Sequence, residues 1–215
     1  MNAATERLSV QGPIGAIEVL RDAPAPGATV RGTAVIAHPH PLFGGTMDNK
    51  VVQTLARAFV QCGWTAVRFN FRGVGATVGQ HDEGRGETED MQAVVAEMAG
   101  AADAPLALAG FSFGAFVASR ALAVLAPLRP VSAVVLVGTA ASRFDVADVP
   151  SGLHARTLVV HGEQDDTVPL ASVMDWARPQ SLPVTVVPGG GHFFHGQLPL
   201  LKGLVVRHLR ADVSD

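Results

Sequence analysis

The residues best able to do chemistry in this chain are one serine, a few carboxylates and several histidines, all set among glycines. Ser112 lies in Gly110-Phe111-Ser112-Phe113-Gly114, between an apolar run starting at Leu106 and the almost wholly apolar stretch Phe113 to Leu125. A serine on a sharp strand-to-helix turn adopts a strained backbone. The positions two before and two after it then come too close for side chains, which glycine at 110 and 114 relieves. A helix starting after Ser112 would aim its positive end and free N–H groups at the place where an oxyanion forms. In a chain with 23 glycines the five-residue pattern alone is weak. Its position between a buried strand and a buried helix is what marks Ser112 as a nucleophile.

A serine hydroxyl is a poor nucleophile until a base takes its proton, and that base needs an acid to hold its tautomer and stabilise the imidazolium. The segment His161-Gly-Glu163-Gln-Asp165-Asp166-Thr-Val-Pro169 supplies three carboxylates in one turn. Further on, Pro188-Gly-Gly-Gly-His192-Phe-Phe-His195 supplies the imidazole. His192 is preferred to His195 because it directly follows glycines that let the backbone bend and present it. Ser112, Asp165 and His192 are the expected triad, with Asp166 and Glu163 as rivals for the acid.

A third motif is His38-Pro39-His40-Pro41-Leu42-Phe43-Gly44-Gly45. Two histidines at i and i+2 could share a metal, but the prolines restrict the backbone and no carboxylate or cysteine completes a ligand set, so no metal is expected. The expected role is a backbone N–H that, with that of Phe113, forms an oxyanion hole. Pro39 and Pro41 have no N–H, which leaves His40, the first choice, or Leu42. Phe43, Phe111 and Phe113 stand where they would line an acyl pocket. Arg72 could hold a substrate carboxylate, but an ion pair with Glu87, Asp90 or Asp82 is the preferred reading. Cys62 reads as a buried small hydrophobe and Trp64 and Trp176 as packing residues.

Positioning these groups requires a scaffold, and the pattern supplies one. Eight short runs rich in Val, Ile and Leu read as strands: Leu8 to Val10, Gly15 to Leu20, Gly32 to Ala37, Thr65 to Phe69, Leu106 to Ala109, Ala133 to Val137, Thr157 to Val160 and Val184 to Val187. The first two, separated by Gly12-Pro13, should form a hairpin. The later ones lack polar alternation, as strands covered by helices on both faces do. Helical spacing appears in Val51, Val52, Leu55, Phe59 and Val60, ending at Cys62-Gly63, and again in Met91, Val94, Val95 and Met98. It recurs over Phe113 to Leu125, stopped by Pro127, and in Leu198, Leu201, Leu204, Val205 and Leu209. The expected architecture is α/β, a mostly parallel eight-stranded sheet with helices on both faces, in one domain over residues 1–215.

Composition narrows the function classes. The net charge is −3 with only two lysines, Lys50 and Lys202, so there is no basic footprint for nucleic acid. One cysteine excludes an internal disulfide and multi-cysteine metal sites. Met1 to Val10 carries Glu6 and Arg7 and no apolar signal core, and no apolar run approaches a membrane span. A cytoplasmic protein without membrane association is expected.

These residues resemble a known family. Gly110 to Gly114, Asp165 and His192 across eight strand candidates resemble the α/β-hydrolase superfamily. His38-Pro-His-Pro-Leu-Phe-Gly-Gly-Thr-Met-Asp-Asn-Lys50 and Phe69-Asn-Phe-Arg-Gly-Val-Gly75 resemble a bacterial subgroup of small, dienelactone-hydrolase-like proteins. The resemblance implies that a G-x-x-D-x-x-V-P turn carries the acid, which on Gly162 to Pro169 selects Asp165. It implies an oxyanion donor at the third position of an H-G-x loop, here His40, although Pro39 stands where glycine is common. Dienelactone hydrolases proper use a cysteine nucleophile, so their substrate does not carry over. No metal or organic cofactor is implied.

Many such hydrolases insert a lid after the sixth strand, but Gly138 to Arg156 is under twenty residues. No cap domain is expected, and specificity should come from short loops such as Phe43 to Asn49 and Ala76 to Gly86. The expected function is a serine hydrolase acting on a small-molecule acyl substrate, an ester or thioester, through an acyl-enzyme. The alternatives are a binding module on a hydrolase scaffold and an amide or peptide hydrolase. An uncapped site is often shielded by a second subunit, which makes a homodimer a candidate assembly.

Overall fold

A computed structural model describes residues 5–211; the first four residues of the N-terminal stretch read above lie outside it. The strands are β1 (Thr5–Gln11), β2 (Ala16–Asp22), β3 (Gly32–Ala37), β4 (Trp64–Phe69), β5 (Leu106–Phe111), β6 (Val131–Val137), β7 (Thr157–Gly162) and β8 (Val184–Val187). They form one sheet in the order β1-β2-β4-β3-β5-β6-β7-β8. β1 and β2 pair as the expected antiparallel hairpin, β2 joins β4 antiparallel, and the other pairings are parallel. The two edges are blunted differently. β1 exposes Glu6 and Arg7, and β8 is four residues long, which leaves little free edge for a foreign strand.

The helices are α1 (Lys50–Gln61), α2 (Arg85–Met98), α3 (Phe113–Leu125), α4 (Leu170–Ala177) and α5 (Leu198–Ala211). The apolar stripe of α1 meets α5 on one face of the sheet over Ala34, Ile36, Ala107 and Ala109. α2, α3 and α4 cover the other face over Val35, Leu108, Val134 and Leu136. Helices on both faces explain why β3, β5 and β6 are apolar on successive residues rather than on alternate ones. α3 is the most enclosed helix, with ten of its thirteen residues buried. Burial of each large apolar side chain contributes about 1.5–3 kcal/mol.

Three local expectations are corrected. α4 was not expected, because eight residues starting directly after Pro169 give too few turns for an apolar period to show. β5 and β7 run two residues further than their apolar runs suggest, reaching Phe111 and Gly162. Cys62, at the end of α1, is only half-buried, its thiol 3.9 Å from the Val206 carbonyl of α5.

The strand order places the site. The connection from β3 through α1 leads to β4 on one side, and the next, through α2, crosses back to β5 on the other. Between β3 and β5 the chain therefore diverges, and the loops leaving their carboxyl ends open a crevice. His38 to Gly45 leaves β3 there, and Ser112 leaves β5.

Candidate active site

Ser112 sits between β5 and α3 with φ 57° and ψ −117°, a conformation a non-glycine residue seldom adopts. Neighbouring backbone enforces it. A Cβ on Gly110 would collide with the Gly114 carbonyl, and one on Gly114 with the carbonyls of Ala37 and His38. The Ser112 N–H donates to the Val137 carbonyl at 2.8 Å, tying the turn to the end of β6.

Asp165 and His192 come from turns after β7 and β8 that grip each other. A Cβ on Gly162 would strike the Gly190 carbonyl, and the N–H groups of Glu163 and Gln164 donate to Val187 and Gly190 at 3.0 and 2.8 Å. This clasp brings His192 to Ser112. His192 Nε2 lies 3.0 Å from Ser112 Oγ, and His192 Nδ1 lies 2.7 Å from Asp165 Oδ2. The other oxygen, Asp165 Oδ1, accepts the N–H groups of Thr167 and Val168 at 3.0 and 2.7 Å. Burial alone would raise the Asp165 pKa, but the bonds from His192 and the Val168 N–H outweigh it and hold the carboxyl below the ordinary aspartate value.

The rivals are placed elsewhere. Asp166 is exposed and accepts only the Thr167 hydroxyl. Glu163 accepts the Gly189 N–H at 2.8 Å and so secures the glycine loop instead of facing the imidazole. His195 is exposed.

The crevice is a cavity of about 360 Å³ lined by Ser112 and His192 together with His40, Phe43, Phe113 and Phe144 among others. Among the described residues no hydrogen bond engages the N–H of His40 or of Phe113, whereas the Leu42 N–H donates to His40 Nδ1 at 3.2 Å. Leu42 is thus occupied within its own 3-10 turn, Pro41–Phe43. The His40 ring packs in tilted and edge-on contacts with Phe43, His81 and Phe113 at centroid distances of 4.9, 4.7 and 4.8 Å. Burial, then the neighbouring His81, lowers its pKa. His38 is fully buried and both its ring nitrogens are engaged: Nδ1 donates to the Pro39 carbonyl at 2.6 Å, and Nε2 accepts the Phe71 N–H at 3.0 Å. It bridges the loops after β3 and β4.

Phe43, 75% exposed, stands at the cavity wall. Phe111 does not line the cavity, which corrects its expected role. Strand alternation sends Ala107, Ala109 and Phe111 to the α1–α5 side, where Phe111 packs under the His192 ring at 4.9 Å. The loop Ala76 to Gly86 is also displaced from the expected position: it borders a neighbouring groove through His81, Glu83 and Arg85. Its place in the cavity wall is taken by Ala140, Arg143 and Phe144 after β6, which sequence reasoning treated only as a segment too short for a lid. Arg72 forms the expected ion pair, bidentate to Asp90 at 2.9 and 2.8 Å, and also donates to the Gly86 carbonyl.

One further residue escaped notice. His161, at the end of β7, is fully buried. Its Nε2 is 2.9 Å from the Val168 carbonyl and 3.4 Å from Asp165 Oδ2, and its Nδ1 has no partner among the described residues. An unsatisfied buried acceptor costs about 1–3 kcal/mol. Its spacing of four residues before Asp165 was the available signal.

Comparison with known proteins agrees with this geometry. Residues 31–198 match the alpha/beta hydrolase domain family. A Rickettsia prowazekii protein, RP471, is 42% identical over 113 residues, 51% of this chain and 46% of that one, so the chain spans about half the length of the curated relative it matches. Among solved structures, XC6422 of Xanthomonas campestris, described as an α/β serine hydrolase without a lid, is 36% identical with a TM-score of 0.84, covering 98% of this chain and 96% of that one. An α/β serine hydrolase homologue from Coxiella burnetii is 41% identical with a TM-score of 0.79, covering 95% and 97%. Among the described residues no helix is long and apolar enough to cross a membrane. A serine on the turn after β5, in a fold and a sequence shared with these proteins, places this chain in the α/β-hydrolase family, beside serine hydrolases.

Proposed function

We propose that the protein hydrolyses small carboxylic esters or thioesters through an acyl-enzyme intermediate. The observation that carries this reading is the continuous hydrogen-bonded chain Ser112 Oγ, His192, Asp165, opening on the cavity. His192 Nε2 takes the Ser112 proton as Oγ attacks the acyl carbon, and Asp165, ionised near neutral pH, holds the imidazolium that forms. Backbone N–H groups of Phe113 and His40 stabilise the tetrahedral oxyanion; each such donor contributes about 3–4 kcal/mol to lowering the barrier. His192 then gives its proton to the departing alkoxide or thiolate. In the second half, His192 takes a proton from water, the hydroxide attacks the acyl carbon, and the acid leaves as Ser112 regains its proton.

Support for a small acyl group comes from the size of the cavity, its aromatic wall and the lack of chain for a lid. The test is a panel of esters and acyl thioesters of graded chain length, with Ser112→Ala as blank, together with mass spectrometry after treatment with an active-site phosphonate. The expected result is turnover abolished by Ser112→Ala and a mass increase located on Ser112. A folded protein that is neither labelled nor active on any member of the panel would sink the proposal.

A further inference from the structure

The mechanism above uses one imidazole, yet the Asp165 carboxylate lies between two. His161, from the end of β7, and His192, from the turn after β8, approach the same oxygen, Oδ2, at 3.4 and 2.7 Å. At 3.4 Å the His161 contact is longer than an ordinary N–H···O hydrogen bond, and the nearer partner of Nε2 is the Val168 carbonyl at 2.9 Å. A carbonyl only accepts, so the His161 proton resides on Nε2, and the buried Nδ1 is an acceptor that meets no donor among the described residues.

The bond to Val168 acts on the acid. The same residue whose carbonyl His161 holds gives its N–H to Asp165 Oδ1 at 2.7 Å, and Asp165 Oδ2 in turn faces His192. We infer that His161 is a positioning residue for the acid: as a neutral donor it pins Val168, Val168 pins the Asp165 carboxylate, and the single negative charge is reserved for His192. Asp165 and His192 are the ionisable groups that act on His161 from the turns packed against it. A second imidazolium there would compete with His192 for one carboxylate. Burial, the larger influence, disfavours that charge and outweighs the pull of Asp165. This inference rests on the reading of Ser112, His192 and Asp165 as a triad.

The experiment compares His161→Gln, whose amide N–H can reach toward Val168, with His161→Leu and His161→Asn, which cannot supply that donor. Two readouts are taken: ester kinetics, and the low-field NMR resonance of the His192 Nδ1 proton shared with Asp165. The Leu and Asn variants are expected to lose about 10- to 100-fold in kcat with KM within threefold of wild type, and to lose or broaden the resonance. Gln is expected to retain the resonance and to fall less than fivefold. The Asn variant keeps the site polar and carries the comparison if Leu does not fold. Equal losses in Gln, Leu and Asn, or an intact resonance and kcat in Leu or Asn, would overturn the inference. If wild type turned over no ester, the proposed reaction would fail, while the resonance in wild type and variants would still decide the role of His161.

Discussion

At the scale of single residues, the site depends on which atoms are already occupied. Asp165 spends one oxygen on its own turn and offers the other to His192, whereas Glu163 spends its carboxylate on the glycine loop. Asp165→Asn should therefore leave the fold in place but force the imidazole toward the wrong tautomer, lowering kcat by on the order of 10³- to 10⁴-fold; steady-state ester kinetics check this. The stability sign follows from its lowered pKa. The ionised pair stabilises the protein above the ordinary aspartate value of 3.8 and that stability disappears as pH falls through the lower folded value. Urea midpoints of wild type and Asp165→Asn should thus begin to approach each other only as pH falls below 3.8, converging below the lower folded value. Ser112 was legible because its glycines are a local backbone requirement. His161 was not, because an ordinary strand histidine and one aimed at an acid look alike until Val168 folds back over it.

At the scale of elements, the loops leaving β3, β4 and β5 are fitted to one another without slack. Gly114→Ala would drive a methyl group into the Ala37 and His38 carbonyls at the base of α3. Backbone cannot yield there as a flexible side chain would, so a loss of about 2–4 kcal/mol in unfolding free energy is expected, measured by urea denaturation. His38 links β3 to β4 as a neutral ring, and its pKa is lowered to about 4, chiefly by burial. The unfolded chain binds that proton near pH 6.5 and the folded one only near 4. The stabilisation is thus complete above 6.5 and fades as pH falls through the folded value, by about 3 kcal/mol in all. His38→Gln should show a shallower loss of urea midpoint between pH 7 and 4.5 than wild type; an equal slope would remove His38 as the cause. Strand periodicity also explains the misplaced aromatic: Phe111 and Phe113 are two residues apart, but the chain turns from strand to helix between them, so only Phe113 meets the cavity.

At the scale of the whole molecule, the described residues form eight strands and five helices joined by short loops, and the segment after β6 is loop and a single 3-10 turn rather than a lid. With nothing to displace, activity should fall off beyond short acyl chains and should show no jump when a long-chain ester passes from dissolved to aggregated form; a rate profile across that concentration checks it. Sequence by itself determined the sheet, its helical cover and the glycine-flanked turn that carries Ser112, because each depends on short-range periodicity or on a backbone conformation that only certain residues tolerate. It could not decide which side chains share a wall. The cavity is built by Phe43, Phe113, Arg143 and Phe144 from segments up to about a hundred residues apart, and only the neighbouring places of β3, β5 and β6 in the sheet bring them together. The same holds for Asp165, whose neighbour in sequence, Asp166, faces solvent while a histidine from the next strand's loop reaches it at 2.7 Å. Periodicity is set by neighbours along the chain, but a hydrogen bond is set by what the fold places across from it.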